Sequence, residues 1–199
     1  MSELWTLEDE IYDSGFDILC GVDEAGRGPL AGPVYAAAVI LPRDLEIPGL
    51  NDSKKLSAHK RDELFEKICD KALSFGIASA DVEEIERENI LGATIIAMNR
   101  AIGKLNIRPQ LALIDGNRNK GIAVNSRCII KGDSLCADIS AASILAKVSR
   151  DRYMLKMAEL YPQYGFEKHK GYGTKLHYQA LREYGPSPIH RKRFLRKMH

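Results

Sequence analysis

Apolar and polar positions along the chain fall into two periods, and the changes between them mark the elements. Phe16 to Val22 is apolar except for Asp17 and Gly21, a run that predicts a largely buried strand. Val34 to Ile40 gives the same signal after a stretch rich in Gly and Pro, close enough in sequence to pair antiparallel with the first. Pro42 and Pro48 end it. From Ser57 to Leu73, Leu64, Phe65, Ile68, Ala72 and Leu73 recur at helical spacing among charges. Phe75 to Val82 predicts a third strand. Glu83 to Leu105 predicts a long helix whose acidic first turn suits the positive end of the helix dipole, with Gly92 and Gly103 as local weak points.

The second half alternates more regularly. Leu111 to Ile114 is a short apolar strand that stops at Asp115-Gly116-Asn117, and Asn125 to Ile130 is another that stops at Lys131-Gly132-Asp133. Ser134 to Leu160 is largely helical in pattern, with Ser140, Ala141, Ala142 and Ser143 small enough for close packing on a sheet. A loop is expected from Tyr161 to Gly173 and a last helix from Thr174 to Tyr184. A leading hairpin followed by strand–helix alternation predicts a layered α/β fold with a mixed sheet.

At 199 residues, 45% apolar and 28% charged, the chain suits a soluble protein with one substantial core. No stretch approaches the roughly 20 apolar residues that span a bilayer, and the start lacks a basic region leading into an apolar one, so neither a membrane protein nor secretion by that route is expected. Cys20, Cys69, Cys128 and Cys136 show no Cys-x-x-Cys spacing and read as small buried hydrophobes, which makes a reducing cytoplasmic compartment the expectation. The formal net charge of +2 is unevenly spread. Residues 164–199 hold nine Lys and Arg against two Glu, a net of +7, so the preceding part carries −5. A basic end on an acidic body suggests a polyanion partner for the former and cation sites in the latter, although a charged tail can also be simply solvated.

Asp23-Glu24, followed by Ala25-Gly26-Arg27-Gly28, reads equally as a tight turn or as half of a divalent-cation site. Asp115 and Asp133 also stand at predicted strand ends. If those ends are neighbours, four carboxylates share one patch, a charge density that divalent cations make tolerable. Two such ions can clamp the attacking and leaving oxygens of a displacement at phosphorus, so the residues point to metal-dependent phosphodiester hydrolysis. A nucleotide-phosphate enzyme would call for Gly-x-x-x-x-Gly-Lys-Ser/Thr, which is absent. A non-catalytic nucleic-acid module would leave the acids unexplained.

The segments Gly21–Val34, Asp52-Ser53-Lys54-Lys55-Leu56-Ser57, Asp115-Gly116, Lys131-Gly132-Asp133, Ser140–Asp151 and His169-Lys170-Gly171-Tyr172-Gly173-Thr174 resemble, in order, the motifs of the ribonuclease HII family, and the His190-Arg191 ending is similar too. The resemblance covers nearly all of the chain past a short leader. It implies a ribonuclease H-like mixed β-sheet flanked by helices, as a catalytic core over residues 1–163, with a basic C-terminal helical extension over 164–199 that contributes to substrate binding. It implies an endonuclease that hydrolyses the RNA strand of RNA–DNA hybrids and cuts 5′ of single ribonucleotides in duplex DNA, leaving 5′-phosphate and 3′-hydroxyl ends. Mg²⁺ or Mn²⁺, two ions per site, would be held by Asp23, Glu24, Asp115 and Asp133. Gly26, Arg27 and Gly28 would sense the 2′-hydroxyl, which distinguishes RNA from DNA. Tyr172 would pack on the deoxyribose that follows, and Lys54 and Lys55 would lie near backbone phosphate. A junction resolvase of the same general fold would differ only in substrate.

The expected protein is a cytoplasmic monomer. Outside the carried-over set, Asp138 and Asp151 are expected in surface or capping contacts, and His169, His177 and His190 in loop and surface roles. Lys147 and Arg150, three apart on one helix face, are left facing either phosphate or solvent.

Overall fold

Ala36, Ala37 and Ala38 sit side by side in the second predicted strand, and side chains so small leave room for helices to approach on both faces. In the computed structural model, which describes residues 3–50 and 56–196, that strand is β2 (Val34–Ile40) of a five-stranded sheet ordered β3-β2-β1-β4-β5. β1 (Leu19–Ala25) pairs antiparallel with β2 and parallel with β4 (Leu111–Asp115). β5 (Ser126–Ile129) runs parallel to β4, and β3 (Ser74–Ala80) antiparallel to β2. The leading hairpin and the mixed sheet are thus as expected.

β1 differs from the expected run of 16–22 by three residues at each end. The apolar pattern stops at Val22, but the ladder continues, with Asp23 opposite Ala37 and Glu24 opposite Ala36. The two acids therefore belong to the strand, where hydrogen bonding to β2 fixes their backbone, rather than to the turn beyond it.

α2 (Ala58–Lys71) and α4 (Ala137–Leu160) cover one face of the sheet, burying Ala37, Val39, Leu64, Ala141 and Leu145 together. α3 (Val82–Gly103) covers the other, over Val22, Ala36, Ala38, Ala97 and Met98. α4 lies so close to β1 that a Cβ at Gly21 would stand 2.1 Å from the Asp138 backbone, so any side chain there would push the helix off the sheet. Ser57 caps α2 by accepting from Lys60 N, and Asp81 and Glu84 form a capping box at the start of α3. The interruption in α3 falls at Asn89 rather than Gly92: Asn89 adopts φ 61°, and its Oδ1 accepts from Leu91 N and Gly92 N, restarting the helix as a fresh cap.

α4 begins at Ala137, three residues after the expected start at Ser134, which instead closes a 3₁₀ turn at Gly132–Ser134. Its own N-cap residue, Cys136, offers no side-chain bond. The cap comes instead from α1 (Thr6–Asp13), whose buried Glu8 accepts from Ala137 N at 2.9 Å and Asp138 N at 3.1 Å. With Trp5 and Ile11 also buried, the leader is part of the core.

Beyond α4 the expected loop holds a 3₁₀ turn (Pro162–Tyr164) and α5 (Phe166–His169), followed by α6 (Lys175–Tyr184) and α7 (Lys192–Leu195). Met154, Tyr164, Phe166, Ala180 and Leu181 form one apolar cluster with Leu30 and Ala31, which fastens this segment beside the glycine-rich loop after β1. All four cysteines are free, Cys20 and Cys136 buried and Cys69 and Cys128 half-buried. Among the described residues no helix is long and apolar enough to cross a membrane.

Candidate active site

Parallel pairing of β1 with β4 and of β4 with β5 sets three strand ends side by side. Asp23 and Glu24 on β1, Asp115 closing β4 and Asp133 in the turn after β5 open into one cleft of about 410 Å³, whose walls include Arg61, Ser143, Lys147 and Tyr172. The structure thus brings together the four acids that the strand ends singled out. Asp115 Oδ1 accepts from Gly132 N at 2.7 Å, which ties the end of β4 to the turn carrying Asp133. Glu24 and Asp115 also border a hollow of about 430 Å³ with Arg27, Arg118 and Lys120. A third, of about 380 Å³, shares Arg61, Lys147 and Tyr172 with the cleft and adds Arg152, Lys168 and Lys170. Positive walls flank an acidic floor.

Burial pushes the Asp23 carboxyl well above its ordinary range, and the charges of Glu24 and Asp115 push it further; bonds from Glu24 N and Ser143 offset only part of this. Burial also raises Glu24, against the pull of Arg27, whose Nη1 lies 3.1 Å from Glu24 Oε1. Crowded carboxylates that hold protons tightly are those a divalent cation would relieve. Among the described residues no three His, Cys, Asp or Glu side chains are gathered closely enough to hold a metal ion by themselves. An open, all-oxygen set suits an ion that keeps several waters and binds through one or two carboxylates plus phosphate oxygens, as Mg²⁺ does. The residues fit such an ion.

Gly28 and Tyr172 meet at the rim: a Cβ at Gly28 would be 3.7 Å from the Tyr172 ring, and Leu30 N donates to Gly171 O at 2.8 Å. Gly26 is buried, whereas Arg27, Gly28 and Tyr172 are exposed. Lys54 and Lys55 lie outside the described residues.

Several expectations outside this set are corrected. Asp138 makes neither a surface nor a capping contact; it is fully buried and accepts from Leu41 N at 2.9 Å, because the first turn of α4 is buried on every side. Asp151 does make the expected surface contact, pairing with Lys147 at 2.8 Å beside the third hollow. His169, His177 and His190 are buried rather than at the surface. The His169 and His177 rings stack at 4.5 Å, His177 Nε2 lies 2.9 Å from His190 Nε2, and burial pushes both His177 and His190 down to about 4. Neutral imidazoles can share that hydrogen bond while filling the apolar joint between the C-terminal segment and the body.

Arg150 faces neither phosphate nor solvent. It is 1% exposed and donates to the carbonyls of Ala31, Pro33 and Lys170. Arg191, which the sequence placed in the basic end and in the His190-Arg191 ending without a role, is 0% exposed and donates to the carbonyls of Gly26, Arg27, Pro29 and Gly32. No local signal marks either as buried, since arginine in a charged helix or a basic tail ordinarily points outward.

A model of the family described as ribonuclease HII matches residues 20–198. A curated ribonuclease HII of Clostridioides difficile is 53% identical over 191 residues, covering 96% of this chain and 75% of that protein. One from Burkholderia thailandensis is 56% identical over 183 residues, covering 92% and 86%. Among solved structures, the ribonuclease H2 of Pyrococcus horikoshii superposes with a TM-score of 0.74 at 27% identity, over 92% of this chain and 97% of that one.

Proposed function

The chain belongs to the ribonuclease HII family and is thereby a metal-dependent ribonuclease H; on that premise we propose that it also incises duplex DNA on the 5′ side of a single embedded ribonucleotide, leaving 5′-phosphate and 3′-hydroxyl ends. The observation that carries this reading is the junction at the rim, where Gly28 abuts Tyr172 beside a cleft that holds all four acids.

In this reading Asp23, Glu24, Asp115 and Asp133 hold Mg²⁺ or Mn²⁺, two ions per site. When bound, such ions make hydroxide available near neutral pH and stabilise charge on the phosphate oxygens. Gly26-Arg27-Gly28 reads the 2′-hydroxyl, because glycine lets backbone amides approach a ribose closely. Tyr172 packs on the following deoxyribose and thereby selects an RNA-to-DNA junction over continuous DNA. Lys54 and Lys55 add phosphate contacts that strengthen binding without reading sequence. Residues 1–163 act as the catalytic core, and the basic residues of 164–199 add backbone contacts on the duplex.

A DNA duplex with one ribonucleotide should be nicked in Mg²⁺ or Mn²⁺ and stay intact in a chelator. Equal cutting of an all-DNA duplex would overturn the substrate assignment. Tyr172→Ala should lower nicking of the one-ribonucleotide duplex more than it lowers affinity for that duplex; unchanged kinetics would make Tyr172 a loop anchor only.

A further inference from the structure

Two guanidinium groups are buried behind the Gly26–Pro33 loop, and their hydrogen bonds all go to backbone carbonyls. Arg191 Nη2 donates to Gly26 O at 2.6 Å, Nη1 to Arg27 O at 3.1 Å and Pro29 O at 2.9 Å, and Nε to Gly32 O at 2.8 Å. Arg150 donates through Nη2 to Ala31 O at 3.0 Å, Nε to Pro33 O at 3.2 Å and Nη1 to Lys170 O at 3.0 Å. Six of the eight carbonyls from Gly26 to Pro33 are thus held by two side chains, one from α4 and one from the residue that precedes α7, and Arg150 also stands 5.8 Å from the Tyr172 ring centre. Gly26 has to be glycine here, since a Cβ would lie 2.1 Å from Arg150 Nε and its φ is 99°.

A peptide unit held by its carbonyl has its N–H aimed the opposite way. With the carbonyls of Gly26 and Arg27 drawn inward by Arg191, the amides that follow them, those of Arg27 and Gly28, face outward on exposed residues and donate to no protein acceptor among the described residues. Burying a guanidinium without a carboxylate is expensive, and the fixed carbonyl dipoles are what repay it. The cost buys orientation of the outer amides. We propose that Arg150 and Arg191 are positioning residues that hold the Gly26–Pro33 loop and Tyr172 in the geometry that distinguishes ribose from deoxyribose. The proposal rests on the reading of Gly26-Arg27-Gly28 as the ribose sensor. Neither arginine touches substrate.

Lysine is the informative replacement. It keeps the positive charge, but its donors radiate from a single nitrogen, whereas the carbonyls on Arg191 are reached from three. Arg191→Lys and the milder Arg150→Lys are compared with the wild type in three measurements: kcat/KM for nicking a one-ribonucleotide duplex, Kd for the all-DNA duplex of the same sequence in chelator, and folded fraction by circular dichroism, with rates taken per folded molecule. Arg191→Lys is expected to lose about 10²-fold in kcat/KM, the scale of a misplacement of roughly 1 Å, while Kd for all-DNA duplex changes less than about twofold, as expected of affinity dominated by phosphate contacts. Arg150→Lys should show the same split at smaller size. Full nicking by both lysine variants would show that charge alone suffices, and a loss that follows the folded fraction would show a purely structural role; either overturns the proposal. Should the wild type itself cut all-DNA and one-ribonucleotide duplexes alike, the sensor reading fails first, an outcome separable from wild-type discrimination that the lysine variants retain.

Discussion

Two groups of carboxylates are buried against α4, and they differ in what lies on their open side. Glu8 and Asp138 are sealed between α1, β1 and the first turn of α4, both at 0% exposure. Burial lifts Glu8 to about 7, against the pull of the Asp138 and Ala137 amides and with a small push from the Asp9 charge, and burial together with the Glu8 charge lifts Asp138 well above its ordinary range. Asp23 is nearly as deeply buried, and its proton affinity is raised by the same two causes, yet its cleft is open and shared with Glu24, Asp115 and Asp133. Burial and like charge therefore do not separate a metal-site candidate from a structural pair. Access does: only a proton can relieve Glu8 and Asp138, whereas the cleft admits a hydrated cation and a phosphate.

The sharpest way to break this contrast is to neutralise one member of each group. Asp23→Asn or Asp133→Asn should lower turnover on a one-ribonucleotide duplex by at least about 10³-fold, the scale of losing a principal charge-stabilising group, with a melting curve still cooperative. Retained activity in either variant would remove that residue from the proposed metal set. Glu8→Ala should do the reverse. It strips two hydrogen bonds from the buried start of α4 and leaves a cavity, costing about 2–4 kcal/mol of stability by urea unfolding, with turnover per folded molecule within about threefold of wild type.

Mg²⁺ at 100 times its Kd should stabilise the wild type by about 2.7 kcal/mol. That gain should persist in Glu8→Gln and shrink in Asp23→Asn; equal gains in both variants would place the ion elsewhere.

The smallest effect is a slope in pH. Glu8 is lifted to about 7 from an ordinary 4.5, so the folded state binds its proton more tightly than the unfolded chain does. Its contribution is fully present below about pH 4.5, is lost as pH rises to about 7 and is constant beyond. Glu8→Gln should flatten the urea midpoint across that window, and an unchanged slope would assign it to other groups.

The open group was legible in the sequence because each acid follows an apolar strand run, and a sheet order that makes those strands neighbours does the rest. The sealed group was not. Asp138 sits in a helix whose first turn is buried on every side, so periodicity offers no outward face to contrast with an inward one. Glu8 lies ahead of the first motif, in a helix whose partner begins 129 residues later. The arginines were hidden for a related reason. Their acceptors are carbonyls, which every residue carries, so composition gives no sign of where a buried guanidinium will find its partners. The one-turn helices near the C-terminus were missed because four residues are too few to show a period.

Arg191 and Gly26 are joined across 165 positions of chain. A ribosome makes roughly 5–20 residues per second, so the loop after β1 waits on the order of ten seconds for the side chain that gives it its shape. During that interval the sheet can form, but the rim beside the acids is unfinished. A nascent chain not yet extended to Arg191 would thus carry the four acids beside a loop without those carbonyl anchors, and on the proposed reading ribose discrimination would arrive only once that residue has been made.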